Sequence, residues 1–100
     1  MKIVFDKLAR LELEDALEYY ELEVPGLGAR FKVEVKRGIR RIRKYPDAWA
    51  KEKNDVRRYF LHKFPYKILY SIEEDYIYII AIAHCHRYPD YWIDCILEKS

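Results

Sequence analysis

Seven apolar residues in succession, Ile77 to Ala83, constrain this chain more than any other feature. A run this short and unbroken, entered from Glu73-Glu74-Asp75 and closed by His84, predicts a strand from Tyr76 to His84 buried on both faces. A strand of that kind lies inside a sheet. Two further segments supply neighbours: Val56 to Phe64 and Tyr66 to Ile72 both alternate well enough to be strands, joined at Phe64-Pro65-Tyr66, where proline removes a ladder donor. Lys2 to Phe5 is a short apolar run that suits an opening strand returning to the sheet edge.

The remaining pattern is helical. Asp6 can cap a helix with its carboxylate, and Leu13, Ala16, Leu17, Tyr20 and Val24 then recur at helical spacing over about 17 residues. Pro25-Gly26-Leu27-Gly28 stops that helix, because proline cannot continue it and glycine tolerates left-handed dihedrals. A second helix is expected from about Ala29 to Tyr45, with Leu27, Phe31, Val35, Ile39 and Ile42 along one side and Pro46 ending it. The order is β-α-α-β-β-β in one domain spanning 1–100. It predicts an α+β fold, with an antiparallel helix hairpin packed on one face of a small, mostly antiparallel sheet.

Charge is strongly segregated behind a net value of only +2. Asp6 to Glu23 holds seven acidic and two basic residues, whereas Arg30 to Tyr45 holds eight basic and one acidic. On the second helix Lys36, Arg37, Arg40, Arg41, Arg43 and Lys44 fill the arc away from its apolar side, a patch suited to phosphate or an acidic partner. The acidic first helix would face the basic second one. Ten tyrosines argue for rings packed and hydroxyls wet rather than for disorder. Cys85 and Cys95 are too few for a disulfide framework. With no leader pattern and no apolar run near the ~18 residues a membrane span needs, a cytoplasmic setting and no membrane are expected.

Several short motifs occur in a fixed order. They are Tyr19-Tyr20, Pro25-Gly26-Leu27-Gly28, Phe31 and Tyr45-Pro46 in the helical half. In the β half they are Arg57-Arg58, Phe64-Pro65-Tyr66, Tyr70, His84, and Arg87-Tyr88-Pro89-Asp90-Tyr91-Trp92. Together they resemble the RelE/ParE superfamily of type II toxin–antitoxin, or plasmid stabilisation, toxins over nearly the whole chain. Two chemistries share that scaffold, so the fold alone does not decide the function. RelE-like members are ribosome-dependent mRNA endonucleases, while ParE-like members inhibit growth by poisoning DNA gyrase.

Cleaving RNA through its own 2′-hydroxyl needs a base, cations for the developing phosphorane charge, and an acid for the leaving oxygen. On the RelE-like reading Arg58, Lys67, His84, His86 and Tyr91 are the catalytic candidates. The chain departs from that pattern at Lys67, where arginine is usual and bidentate phosphate geometry is lost, and near the last strand's end, where Cys85 separates two histidines. The Phe-Pro-Tyr junction and the Arg-x-Pro-x-Tyr-Trp ending are favoured by ParE-like chains. Lys36, Arg37, Arg40, Arg41, Arg57 and Arg87 are the nucleic-acid- or target-binding candidates. Arg57 and Arg58 alternate, so one faces outward and the other is expected to meet an acidic group near the first helix. Lys67 reads as a solvated lysine. His84, Cys85 and His86 do not form a tetrahedral metal set unaided, and neither metal nor cofactor is expected.

The favoured expectation is therefore a ParE-like toxin neutralised by a cognate antitoxin that covers the helix pair and a sheet edge. A RelE-like endonuclease is the alternative, with a non-toxic nucleic-acid-binding regulator behind it. Whether the chain is an enzyme turns on that choice.

Overall fold

Asp6 ends the first strand and begins the first helix. The structure, a computed structural model, describes residues 1–86 and 91–93. Strand β1 is Lys2–Phe5 and helix α1 is Lys7–Glu23. Between them the Asp6 carboxylate accepts the Leu8 amide at 2.8 Å, while its own amide donates to the Ile79 carbonyl at 2.8 Å. One buried residue thus caps the helix and pins it to the sheet.

Glycine at Gly26, with φ of 88°, turns the chain into α2, Leu27–Lys44. That helix opens two residues before the expected Ala29 because Glu21 caps it. The Glu21 carboxylate accepts the Gly26 and Gly28 amides at 2.9 and 3.1 Å, donors that no helical carbonyl could satisfy. Part of the acidity of α1 is therefore used at the hairpin turn. Arg37–Glu34, Lys51–Asp55, Arg57–Asp47 and Lys67–Glu52 form ion pairs, and none of these joins the two helices. Val24, expected on the buried stripe, is 53% exposed because the chain has already left the helix there.

The helices cross closely at Gly28. A Cβ there would lie 2.8 Å from the Leu17 carbonyl oxygen, which is backbone and cannot swing aside. Gly28→Val is expected to lower stability by about 1–3 kcal/mol, read as a lower urea midpoint with an unchanged slope.

The sheet has five strands in the order β1-β5-β4-β3-β2, with β1 parallel to β5 and every other pair antiparallel. β2 is Lys51–Lys53, β3 Val56–Phe60, β4 Tyr66–Ile72 and β5 Tyr76–His84. The arrangement is the expected helix hairpin on a mostly antiparallel sheet, with two differences. The polar stretch after α2 contains the short edge strand β2. In addition, β3 stops at Phe60 rather than Phe64, because Lys63 turns the chain with φ of 71°.

Apolar side chains fill both sides of the sheet. Phe31, Val35, Ile42, Tyr59, Ile68, Tyr70, Ile77, Ile79 and Ile82 pack under the helices. Val56, Leu69, Ile80, Ala81, Ala83 and Trp92 form a second cluster. β5 serves both because of a bulge. Leu69 pairs with Ala81 but Tyr70 with Ile79, leaving Ile80 extra and reversing the facing of every later β5 residue. Among the described residues no helix is long and apolar enough to cross a membrane.

Candidate functional site

Register decides which charged groups can meet. Arg58, Phe60 and Lys67 share the sheet face away from the helices, since Arg58 pairs with Leu69 and Lys67 pairs with Phe60 and Ala83. Arg58 lies over the Phe60 ring, 5.7 Å from its centre. Lys67 is not solvated as its strand position suggested. Its ammonium contacts the Glu52 carboxylate at 2.5 Å, with side chains 21% and 15% exposed. Edge strand β2 delivers that carboxylate, so the lysine's charge is answered from within the chain. Cys85 lies in the same electrostatic neighbourhood. Partial desolvation raises its thiol above the ordinary value, against the opposing pull of Lys67.

Arg57 faces the other way, beside Tyr70. It donates to the carbonyls of Trp49 at 2.7 Å and Asp47 at 3.3 Å, and pairs with the Asp47 carboxylate at 3.6 Å. The acidic partner therefore comes from the loop after α2, not from the first helix, because that loop is what lies over this end of β3. Its guanidinium is spent on holding the loop.

Tyr70 completes the same anchor, its buried hydroxyl donating to the Pro46 carbonyl at 2.7 Å. Burial pushes its pKa up to about 12 from 10.0, despite the nearby Arg57. Ionisation is thus easier in the unfolded chain. The stabilisation is complete below pH 10 and is lost as pH rises toward 12. Alkaline melts should show stability falling through that window, and Tyr70→Phe should flatten the fall.

His84 occupies the helix side of the sheet, opposite Lys67. Its ring packs edge-on to Tyr66 at 5.0 Å, and its Nδ1 accepts the His86 amide at 3.1 Å. The two imidazoles lie 5.2 Å apart. A hollow of about 280 Å³ in front of His84 is lined by Glu12, Asp15, Ala16, Tyr19, Tyr66 and Ile82. Glu12 accepts the Ile82 amide at 3.0 Å and also the Tyr91 hydroxyl. Burial raises the Tyr66 hydroxyl above its ordinary value, with Tyr20, Tyr19 and Glu12 adding to it. The catalytic candidates are thus divided, with Arg58 and Lys67 on one face and His84 and His86 on the other. Tyr91 is held by Glu12. Arg87 lies outside the described residues, as do Pro89 and Cys95.

The four target-binding candidates on α2, Lys36, Arg37, Arg40 and Arg41, separate into two pairs. All four are exposed, but Arg37 contacts Glu34 at 3.0 Å and Arg41 donates to the Tyr59 hydroxyl at 3.4 Å, whereas Lys36 and Arg40 lie one residue round the helix. Arg37 and Arg41 wall a cleft of about 590 Å³ with Trp49, Tyr59, Phe60, Leu61 and His62. A mostly apolar groove of about 760 Å³ runs between the start of α2 and the β3–β4 connection, lined by Tyr20, Leu27, Val33 and Phe64 with Arg30 and Lys63 at its margin. Among the described residues no three histidine, cysteine, aspartate or glutamate side chains are grouped so as to hold a metal ion.

Sequence reasoning missed Glu12, Glu52 and Trp49. Glu12 and its partner Ile82 are 70 residues apart, and Glu52 and Lys67 are 15 apart, so neither pairing leaves a local pattern. Trp49 alone carried a signal, as an unexplained aromatic in a polar loop.

A family model described as the ParE toxin of the type II toxin–antitoxin system parDE matches residues 3–89. Among curated proteins none matches the chain. Among solved structures, a chain described as "Chromosomal ParDE TA system from P. aeruginosa" superposes with a TM-score of 0.74. The two are 16% identical, and the match covers 84% of this chain and 95% of that one. At that identity the structural likeness speaks for the fold.

Proposed function

Since the chain belongs to the ParE toxin family of type II toxin–antitoxin systems, we propose that it arrests growth by poisoning DNA gyrase in the cytoplasm and is silenced by a cognate antitoxin. The observation that carries the gyrase reading over RNA cleavage is the division of the catalytic candidates. Acid, base and cation must reach one phosphate together. Here Lys67 is paired with Glu52 on one sheet face while His84 packs on Tyr66 on the other. Lys36 and Arg40, outward on α2, are the target-facing cations in this reading, with an interaction that weakens with salt.

The antitoxin reading is supported by exposed apolar side chains on the helix hairpin. Tyr19, Leu22, Val24 and Val33 are each at least half exposed, the last beside the apolar groove. An amphipathic antitoxin segment seated there would cover them.

Inducing the chain alone in a bacterium tests both parts. The expected result is filamentation with DNA-damage signalling, relieved by co-expressing the antitoxin, and purified chain should trap cleaved DNA on gyrase. Lys67→Ala and His84→Ala should each leave growth arrest within about threefold of the parent, as for residues outside the acting surface. Rapid arrest of translation with cut transcripts, lost in those two variants, would instead establish the endonuclease.

A further inference from the structure

We propose that the cleft between α2 and the end of β3 binds a nucleotide, with its phosphate on Arg37 and Arg41 and its base against Trp49. This inference does not depend on the toxin reading.

The cations come first. Arg37 and Arg41 are four residues apart on α2, so one turn of helix sets their guanidinium groups side by side on one face. Arg41 has a neutral partner, the Tyr59 hydroxyl, at a long 3.4 Å, and none of the described ion pairs includes it. Arg37 shares its charge with Glu34 at 3.0 Å and is 45% exposed. Guanidinium forks suit phosphate because two N–H groups can meet two oxygens at once. His62, on the same cleft, adds a further donor.

The rest of the lining explains why a bare anion would be a poor fit. Trp49 packs edge-on to Tyr59 with ring centres 5.0 Å apart, and Leu61 lies buried at the floor. These groups offer flat apolar surface beside the cations, and aromatic side chains are the usual platforms for nucleobases. The volume, about 590 Å³, lies in the range of small-molecule sites. Arg57 helps shape the cleft without entering it, by holding the Trp49 carbonyl at 2.7 Å.

The chain has two tryptophans, and Trp92, on the opposite face of the sheet, is only 2% exposed. Quenching by a ligand in the cleft therefore reports on Trp49. Titrating purified full-length chain with ADP should give saturable quenching that Trp49→Phe abolishes. Arg41→Ala and Arg37→Gln should each weaken ADP binding roughly tenfold or more, as expected for loss of a charge-assisted pair, while Lys7→Ala on α1 should leave it unchanged. Thermal melts of the variants confirm that they are folded. Adenosine and inorganic phosphate should each bind far more weakly than ADP. A short single-stranded oligonucleotide, run in parallel, shows whether the site takes a free nucleotide or one within a strand, by which of the two saturates at lower concentration. Absence of saturable quenching at millimolar ADP would overturn the proposal. So would equal weakening by Lys7→Ala, or an acidic hexapeptide or inorganic phosphate binding as well as ADP.

Discussion

Phe31→Ala is expected to remove about 3–5 kcal/mol of stability, the range for a large aromatic deleted from a core that cannot collapse around the gap. Phe31 is fully buried, and its ring centre lies 5.2 Å from Tyr20, 5.1 Å from Phe64 and 5.0 Å from Tyr66. Those partners come from α1, from the β3–β4 connection and from β4. One side chain therefore holds three separately formed parts together, and truncating it unsupports all of them. A domain of this size has about 5–15 kcal/mol in total, so the variant should be largely unfolded at modest urea concentrations. Val33→Ala, half exposed on the same helix, should change stability by no more than about 0.5 kcal/mol. If Phe31→Ala lost less than about 1.5 kcal/mol, this aromatic cluster would not be the keystone of the core.

Asp6→Ala should be the next most damaging change. Losing the cap at Leu8 costs about 0.5–2 kcal/mol, and losing the bond from the part-buried Tyr78 hydroxyl to the same carboxylate adds about 1 kcal/mol. Asp6→Asn keeps an acceptor for the Leu8 amide and should recover a large part of the loss. Equal melting temperatures for the alanine and asparagine variants would show that capping contributes nothing.

Much of this architecture was legible because its signals are local. The Ile77–Ala83 run, the stripes on both helices and the Asp6 cap each depend on residues within a turn or two of one another. Edge strand β2 was not, because Lys51-Glu52-Lys53 has no apolar alternation and exists only by pairing with Val56 and Arg57. The end of β3 was misjudged because a left-handed Lys63 leaves no mark in composition.

The candidate site was harder to read, for a single-residue reason. Strict alternation along β5 would place His84 on the same face as Lys67. The extra residue at Ile80 reverses that, sending His84 toward the helices while Lys67 stays on the far side. Bulges depend on pairing, and no run of seven apolar residues announces where one will fall. That Arg57 and Arg58 face opposite ways followed from alternation alone, but which of them turned inward required the partner strand.

The placement of β1 has a consequence for synthesis. Lys2 pairs with Tyr76 and Phe5 with Ile79, so among the described residues β1 has no strand neighbour until β5 has been translated. Contacts of such sequence separation form late and limit folding rate. A nascent chain can build its helical hairpin on the ribosome, yet the sheet cannot close before β5 emerges. Products cut short ahead of Tyr76 would carry β1 without the strand it pairs with, so none of them could complete this sheet.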